Sequence, residues 1–530
     1  MTAQETIPIV VGVTGHRDIR EEDRDALQKV VYRELSALQQ KCPHARIVML
    51  NSLADGADQL CAETAQTLGI PLIAVLPMER EAYAHDFSGD ALTRFQSLCD
   101  AAEECFVAPY TERAEGTPDR DFAYRQAGIY VAAHSHLLLA LWDGKDTPTS
   151  TCGTNETVRF ALDCAYRPKD GIPLGKTGAV LHIMTPRRGD SAEAIGTVRF
   201  LGDRNAFEKT LARSDECSRL FAEAPLPKGG LLPKTREADD LLDRIEAWYA
   251  KADALSVRFA KRYRLILAAL ALISTVITVA FLLYDEAGLH WMILVCGIML
   301  LLAWVVQRYG KRIACHRRYL EYRMLAEGLR VQAFLRYAGS GVSAADVLPW
   351  TEQTEAGWIA AALKACVIGA KPYKMHSIKE PWVEAQRSYH MRSVKKTARS
   401  LKGSDRIVGA TLLLSVLLYL GVLAFELLWG GLLPSRGHIP DAERYRTITK
   451  LLLGGISAAT LFISNYYGKL SLSRVVSDHR KMEQFYTAVS DRIDRYGQTE
   501  ALLVLLSREE LIENGNWFSY RQDNAADLSL

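Results

Sequence analysis

The second half of the chain contains four long apolar runs, at 265–284, 289–306, 407–429 and 448–465. A helix rises about 1.5 Å per residue, so each run is long enough to cross a hydrocarbon core of about 30 Å. Only a short polar turn separates the first run from the second. The pattern therefore predicts four transmembrane helices arranged as two hairpins.

The two hairpins resemble each other in the segments that come directly after them. A Tyr-Gly-Lys run occurs at 309–311 after the first hairpin and at 467–469 after the second, and each run leads into a charged amphipathic segment. Residues 223–240 contain several prolines and glycines, which indicates a linker from the N-terminal part of the chain. We predict an all-α membrane domain made of two tandem modules, 241–366 and 367–530.

The first 222 residues have a different pattern, in which short continuous apolar runs alternate with amphipathic stretches. The apolar runs predict strands at 7–13, 45–50, 72–76, 105–108, 137–142 and 180–184. The amphipathic stretches predict helices at 21–40, 57–68, 91–102, 122–133 and 156–165. Such alternation is typical of a parallel sheet that is buried on both faces. The predicted fold class is thus an α/β, doubly wound, Rossmann-like parallel sheet over residues 1–222, followed by the all-α membrane domain.

Charged residues predict the orientation of the membrane helices. Five lysines and arginines lie at 251–264, and none lies in the turn between the first two apolar runs. Because Lys and Arg collect on the cytoplasmic side of a membrane, this turn faces outside. An even number of spans then returns both termini to the cytoplasm. This predicts a multi-pass membrane protein with both termini on the cytoplasmic side.

Glu426 is the acidic residue within the apolar runs. It lies near the outer end of its run, and Arg444 and Arg446 lie in the adjoining loop. Two interpretations stay open. The first, which we favour, is an ion pair with one of these arginines. The second is a ring of acids along a cation path in a homo-oligomer.

Charge and cysteine usage narrow the chemistry. The net charge of +2 gives no indication of nucleic-acid binding. The ten cysteines include no Cys-x-x-Cys pair and no metal-ligand spacing. We therefore expect reduced thiols, and we expect neither a metal site nor a nucleic-acid partner.

Three loops that come after predicted strands have the composition of a nucleotide site, since ligands of parallel sheets bind at the carboxyl ends of the strands. Glycines let the backbone approach a phosphate, amide groups at a helix start bind anions, and an arginine supplies a charged fork. The candidate ligand-binding residues are Gly12, Thr14, Gly15, His16 and Arg17 in the first loop, Ser52, Ala54, Asp55, Gly56 and Asp58 in the second, and Asp143, Gly153, Thr154 and Glu156 in the third, with Arg125 from a neighbouring helix.

Several of these residues also have a structural interpretation. Asp55 is either a hydrogen-bond acceptor for a ribose or base, or a cap of the next helix. His16 is either a packing residue or a functional group of the glycine turn. Arg125 either faces the ligand or forms a salt bridge on the helix surface. Arg187 and Arg188, just past a predicted strand, are either phosphate ligands or part of a solvated turn.

The loops resemble the SLOG superfamily of Rossmann-like domains. The resemblance is carried by 12–18, by the run Ser-Leu-Ala-Asp-Gly-Ala-Asp at 52–58 with 71–77 after it, and by the short runs 142–144, 153–154 and 158–160. Some members of that superfamily hydrolyse nucleotide N-glycosidic bonds with a Pro-Gly-Gly-x-Gly-Thr-x-x-Glu motif, and others sense nucleotide second messengers. Thr157 stands where that motif has its glutamate. The resemblance therefore implies nucleotide binding, and the departure argues against hydrolysis.

The hairpin modules resemble SLATT domains, two-helix membrane effectors found beside SLOG and nucleotidyltransferase genes in bacterial conflict systems. The similarity lies in the hairpin, in the pairs Arg318-Tyr319, Tyr322-Arg323 and Ala326-Glu327, and in the terminal tryptophans. It implies an oligomeric antiphage effector that permeabilises the membrane when a signal nucleotide binds. That messenger, a cyclic oligonucleotide or an ADP-ribose derivative, would come from a nucleotidyltransferase or a TIR-type synthase.

Two other functions stay open at this point. The first is a membrane-tethered nucleotide N-glycosidase with His16, Asp55, Arg125 or Glu156 in catalytic roles. The second is a ligand-regulated ion channel. We expect no cofactor besides the signal nucleotide.

Overall fold

A computed structural model of the chain describes residues 6–111, 119–145, 153–162, 178–187, 195–225, 230–233, 236–348, 357–370, 373–428, 442–470 and 472–523. The chain forms two compact units, and each unit draws on three segments. The first, which we call the sheet unit, comprises Met1–Leu255, Arg323–His376 and Thr499–Gly515. The second, which we call the span unit, comprises Ser256–Tyr322, Ser377–Gln498 and Asn516–Leu530. Parts of the predicted membrane domain thus belong to the same compact unit as the N-terminal sheet.

The sheet unit is built around a mixed sheet dominated by parallel strands. Its strands are β1 (Ile9–Gly15), β2 (Ile47–Asn51), β3 (Leu72–Leu76), β4 (Glu104–Val107), β5 (Leu137–Trp142), β6 (Ala179–Met184) and β7 (Val198–Gly202). Within the described residues their order is β4-β3-β2-β1-β5-β6-β7, and each pairing is parallel except that of β6 with β7. The six predicted strands are confirmed.

The seventh strand, β7, corrects the prediction of a wholly parallel sheet. It pairs antiparallel with β6, from Ile183 opposite Val198 to Ala179 opposite Gly202. Its residues are half-buried or exposed, whereas β2 and β5 are buried along their whole length. An outer antiparallel strand needs no continuous apolar run, so the pattern that revealed the inner strands missed this one.

Helices cover both faces of the sheet, as a doubly wound fold requires. They are α1 (Arg24–Lys41), α2 (Ala57–Thr67), α3 (Arg80–Ala84), α4 (Gly89–Ala101), α5 (Arg120–His134), α6 (Thr154–Leu162) and α7 (Arg204–Glu223). Ile9 and Val11 of β1 face a core shared with α1, α2 and α4. On the opposite face, Gly12 lies against Val131 and Ser135 of α5. Full burial of each large apolar side chain contributes about 1.5–3 kcal/mol, so this two-sided core holds the strand ends in place.

The remaining helices occur along the chain in two similar halves. The first half contains α8 (Asp240–Glu286), α9 (Met292–Ile313), α10 (Cys315–Tyr337) and α11 (Gly357–Ala365), and the second contains α12 (Ala385–Leu428), α13 (Ala442–Leu470), α14 (Leu472–Tyr496) and α15 (Glu500–Asp523). A π-helical turn, Lys379–Glu384, precedes α12. Both Tyr-Gly-Lys runs lie in the last turns of a helix, namely α9 and α13. The helix order therefore matches between the two predicted modules.

Three helical stretches among the described residues are long and apolar enough to cross a membrane: Asp240–Glu286, Met292–Tyr337 and Lys379–Phe425. Their most apolar windows are almost unburied by protein, as expected of surfaces that contact lipid. The fourth predicted run, 448–465, lies within helix α13, and its role as a span stays a prediction.

Within the span unit, helix α8 of the first predicted hairpin contacts helix α13 of the second. The Lys450 ammonium lies 3.0 Å from the Glu286 carboxylate. One turn further along α13, a Cβ on Gly454 would lie 3.1 Å from Leu282 of α8, so the glycine permits close helix packing. The Glu426 side chain lies outside the described part of the chain, and its pairing with Arg444 or Arg446 stays a prediction.

Within the sheet unit, helices α8 and α11 cover the amino ends of the strands. Arg244 of α8 lies 3.8 Å from Glu104 at the start of β4. Just after α11, the Gly369 amide donates a hydrogen bond of 3.4 Å to the Tyr130 hydroxyl of α5. Trp358 of α11 is buried. This edge of the sheet, which we call the amino edge, is therefore a packing surface for helices.

Candidate functional site

The opposite edge of the sheet, which we call the carboxyl edge, contains the topological switch point. Strand β1 pairs with β2 on one side and with β5 on the other. The chain runs outward from β1 to β4 and then returns to place β5 beside β1. In open parallel sheets, ligands bind in the crevice outside the strand ends at such a point. The loops after β1 and β5 therefore meet where a ligand site is expected.

His16 and Asp143 lie together at this switch point. The Asp143 backbone N–H donates to Nε2 of His16 over 3.1 Å, and the Asp143 carboxylate lies 3.3 Å from the same nitrogen. Burial lowers the pKa of His16, as does the charge of Arg187, while Asp143 opposes both. A neutral ring with its proton on Nδ1 leaves Nε2 free to accept the N–H bond. His16 thus ties the first loop to the third.

Arg187 joins this pair from the end of β6. Its Nε lies 3.6 Å from the Asp143 carboxylate, and its Nη1 lies 4.0 Å from Asp18. The Arg187 side chain is half exposed, so the guanidinium keeps a face toward solvent. Arg187 thus lies beside Asp143, and both interpretations of it stay open, whereas Arg188 lies outside the described residues.

Arg17 contacts a second pair of residues, Asp86 and Tyr124, which the sequence pattern did not indicate. Its guanidinium lies 4.8 Å from the centre of the Tyr124 ring and 4.0 Å from the Asp86 carboxylate. Asp86 also accepts hydrogen bonds from the Tyr124 hydroxyl and from Arg120. The signal available in the sequence was the Arg-x-x-x-Tyr spacing at 120–124, which puts both side chains on one face near the start of a helix.

The second loop packs against the first through its backbone. A Cβ on Gly56 would lie 2.4 Å from the Arg17 carbonyl oxygen and 2.7 Å from that of His16. The Ala57 N–H donates to the His16 carbonyl over 3.0 Å. The φ of Gly56 is +80°, a conformation that favours glycine. Loop-to-loop packing thus accounts for this glycine.

The two aspartates of the second loop have different surroundings. Asp55 is half-buried, accepts the Gly56 N–H over 2.8 Å and lies 3.8 Å from Arg94. Asp58 is buried, and its carboxylate accepts the Ala54 N–H. Burial raises the pKa of Asp58 to about 7, against the opposing effects of that hydrogen bond and of Arg17. Of the two, Asp55 has the carboxylate that a ligand can reach. Its hydrogen bond to the Gly56 N–H also fits a helix cap, so both interpretations of Asp55 stay open.

Glycines of the first loop lie inside strand β1 rather than in a free turn. A Cβ on Gly12 would lie 2.0 Å from the Ser135 hydroxyl, and one on Gly15 would lie 2.3 Å from Ala57. Both positions therefore need glycine for packing between the strand and its helices. Thr14 lies between them and is half-buried, and Ser52 and Ala54 are also half-buried.

The third loop is described only at its two ends, because residues 146–152 lie outside the described residues. Glu156, in the first turn of α6, forms a 2.9 Å ion pair with Arg125 of α5. Thr157 is buried beneath α5, where a Cβ on Gly128 would lie 2.7 Å from its hydroxyl. A glutamate would not fit that position. Gly153 and Thr154 start α6, and the Gly153 carbonyl accepts the Thr157 N–H.

The structure thus brings His16, Asp143 and Arg187 together, and it packs Gly56 against the backbone of His16 and Arg17. The Arg17 side chain lies beside Asp86 and Tyr124. Arg125 and Glu156 form a separate pair between two helices. No group of three or more His, Cys, Asp or Glu side chains in the described ranges is arranged to hold a metal ion. The chemistry available at the carboxyl edge is therefore two half-exposed guanidinium groups beside hydrogen-bonding carboxylates, a set suited to phosphate and hydroxyl groups.

Residues 245–342 match a family model whose description is a protein of unknown function, DUF4231. The matched segment runs from α8 to the residues just after α10, and so contains the first hairpin. No curated protein matches the chain.

Proposed function

We propose that this protein is a membrane effector gated by a nucleotide second messenger. Support comes from one combination: arginine side chains lie half exposed at the switch point of a mainly parallel sheet, and three helices in the described part of the same chain are apolar enough to span a membrane. Together with the resemblance to SLOG and SLATT domains, this combination favours a receptor joined to its effector in a bacterial antiphage system.

In this proposal, Arg17 and Arg187 bind the phosphate groups of the messenger. Both guanidinium groups keep roughly half of their side-chain surface exposed, and a planar fork matches phosphate geometry. The start of α2, just after Gly56, adds the positive end of a helix dipole. Asp55 accepts a hydrogen bond from a ribose hydroxyl or a base, and Asp143 holds His16 and Arg187 in position.

Helix α8 carries the response toward the membrane. It is a single helix of 47 residues, about 70 Å long at about 1.5 Å per residue. Its first turns contact the amino edge of the sheet through Arg244, and its later residues form the first apolar stretch. A messenger gates the protein only if it binds the open arrangement of an oligomer more tightly than the closed one. Once the messenger is bound, the open arrangement of the oligomer permeabilises the inner membrane.

Ligand binding is tested with the full-length protein in detergent micelles. The melting temperature is measured with a panel of cyclic dinucleotides, larger cyclic oligonucleotides and ADP-ribose derivatives, with ATP and inorganic phosphate as references. A ligand at 100 times its Kd stabilises the folded state by about 2.7 kcal/mol, which raises the melting temperature by a few degrees. Absence of any shift across the panel would overturn the proposal.

The Arg17→Gln variant locates the binding site. Loss of a charge-assisted hydrogen bond costs about 1.5–3 kcal/mol, so the ligand should bind about 10–100 times more weakly. Arg33→Gln is the matched control, because Arg33 is an exposed arginine of α1 that pairs with its neighbour Glu34. Equal affinities of the two variants would place the site elsewhere.

Recovery of the ligand after incubation distinguishes the proposed effector from an N-glycosidase. The proposed sensor returns the ligand intact, whereas free base in the supernatant would favour hydrolysis. The place of Thr157 beneath α5 is the observation against a hydrolase.

Vesicle leakage tests the membrane step. Liposomes that hold a fluorescent dye should leak when messenger is added to reconstituted protein, and should stay sealed with the Arg17→Gln variant. Leakage without any effect on phage infection in cells would favour an ion channel of another physiological role.

A further inference from the structure

Two histidines lie against each other in the span unit, on the helices that flank the second predicted hairpin. His390 lies in the second turn of α12, which leads into the apolar run at 407–429, and His479 lies in α14, which follows the run at 448–465. The two Nδ1 atoms are 2.9 Å apart, and the ring centroids are 5.0 Å apart. The pair therefore ties the helix before the second hairpin to the helix after it.

Aromatic side chains lie around the pair. Tyr486, which is fully buried, stacks on the His390 ring with the centroids 5.6 Å apart. Tyr389 meets both histidines edge-on, at 5.2 Å from His390 and 6.0 Å from His479. His390 is buried and His479 is half-buried. Burial lowers the pKa of His479, and the charge of Asp478 opposes this shift. These surroundings disfavour a charged imidazole.

A hydrogen bond between two Nδ1 atoms limits the number of protons that the pair can hold. One Nδ1 must carry a proton and donate it, and the other must be unprotonated and accept. Two neutral rings meet this condition, and so does one imidazolium beside one neutral ring. When both rings are imidazolium ions, each Nδ1 carries a proton, so the hydrogen bond is lost and two like charges face each other. The contact between His390 and His479 therefore excludes the last proton.

Charged side chains of α14 lie beside the pair. Asp478 directly precedes His479 and lies 3.8 Å from Arg474. The Arg474 guanidinium in turn lies 4.1 Å from the centre of the Tyr520 ring of α15. Glu483 lies one turn further along α14. This helix thus brings two carboxylates and one arginine close to His479.

The start of α12 adds one further cation and one further acid. Arg387 lies one turn before His390 and 3.3 Å from Glu384 of the π-helical turn. Glu384 also accepts a hydrogen bond of 2.6 Å from the Ser490 hydroxyl of α14. Across both helices, two arginines offset two of the three carboxylates. The one remaining negative charge favours one imidazolium in the pair rather than two.

We propose that the His390–His479 bond is an acid-sensitive contact, which holds α12 against α14 at neutral pH and releases it when both rings are protonated. In the released arrangement each histidine has an ordinary pKa of about 6.5, so this arrangement binds one more proton than the closed pair. At pH 5.5 the extra proton favours release about tenfold, and at pH 7.5 it has little effect. Acid would thus loosen the base of the second hairpin, and this inference does not rest on nucleotide binding.

The test is hydrogen–deuterium exchange of the full-length protein in detergent at pH 7.5 and pH 5.5, with EDTA present to exclude metal binding. Exchange is read by mass spectrometry and corrected for the intrinsic effect of pH on amide exchange. Amides at 386–394 and 475–483 should lose about tenfold in protection at pH 5.5. His44→Gln is the control, because His44 is an exposed histidine of the sheet unit, and this variant should respond to acid as the native protein does.

Two variants of the pair make the cause of the response measurable. The double variant His390→Gln with His479→Gln carries neutral amides that can still hydrogen-bond to each other, so its protection should be equal at both pH values. His479→Arg introduces a permanent charge, so protection of both segments should already be low at pH 7.5. Native protection that does not change with pH, or a glutamine double variant that responds to acid as the native protein does, would overturn the proposal.

Discussion

The two edges of the same sheet are held together in different ways. At the carboxyl edge, backbone meets backbone, since Gly56 lies against the carbonyl groups of His16 and Arg17. At the amino edge, charged side chains meet helices, with Arg244 near Glu104. The Nε atoms of Arg46 and Arg244 are buried there without a hydrogen-bond partner among the described residues.

This difference separates two mechanical roles. At the carboxyl edge the first and second loops pack tightly on each other, and under the proposed function this packing would hold the backbone of Arg17 in place for a phosphate. A surface of long, flexible side chains adjusts at lower cost, as a joint between sheet and helices requires. We therefore expect substitutions at the carboxyl edge to damage the fold more than comparable substitutions at the amino edge.

The largest effect is expected from Gly56→Ala. The new Cβ would meet two carbonyl groups of another loop, and the φ of +80° adds strain. We expect a loss of about 3–5 kcal/mol of folding stability, measured by thermal unfolding of the full-length protein. Gly69→Ala is the control, because Gly69 also has a positive φ but nothing lies within 4 Å of its Cβ position; it should cost about 1 kcal/mol. Equal losses would mean that loop packing is not the cause.

Asp58→Asn tests the buried carboxyl of the second loop. The pKa of Asp58 is raised by burial to about 7, so between about pH 4 and pH 7 the folded state binds a proton that the unfolded state has lost. Stability of the native protein therefore falls as the pH rises through this window and levels off above pH 7. The asparagine variant lacks this loss and should be more stable than the native protein at pH 8 by on the order of 4 kcal/mol, with little difference at pH 4. Melting curves across this pH range check the sign, and parallel pH profiles would refute it.

Gly369→Ala makes the matching change at the amino edge. Its Cβ would lie 1.8 Å from Glu104 Oε2, but that atom ends a flexible side chain that can rotate away. With the strain of a φ of +71°, we expect a loss of about 1–2 kcal/mol. Gly357→Ala, which has nothing within 4 Å of its Cβ position, is the control. A loss larger than that of Gly56→Ala would reverse the comparison of the two edges.

The smallest effect is expected at the ion pair between α5 and α6. Arg125 and Glu156 lie 2.9 Å apart and are partly exposed, so their coupling energy should be below about 1 kcal/mol. A double-mutant cycle with Arg125→Gln and Glu156→Gln measures it. A coupling of several kcal/mol would show that the carboxyl edge also depends on side-chain pairs.

Strand β7 and the Asp86–Tyr124 pair were not predicted from the sequence, and both omissions have the same cause. The inner strands were predictable because burial on both faces requires continuous apolar runs. Strand β7 has one exposed face, and the Asp86–Tyr124 pair beneath Arg17 joins residues that are 38 positions apart. Periodicity reports the environment of neighbours along a chain, so it carries no information about which distant loops meet.

The amino-acid sequence by itself determined the elements of this protein: alternating buried strands and helices, and after them apolar helices too long for a soluble core. The hydrophobic effect acts on each segment through its own pattern of apolar residues, so these features need no knowledge of the fold. Only the tertiary structure decided that Gly12 and Gly15 serve packing, that Asp143 contacts His16, and that parts of α8, α10 and α15 belong with the sheet. These facts depend on strand order and on contacts between residues far apart in the chain, which no local pattern records.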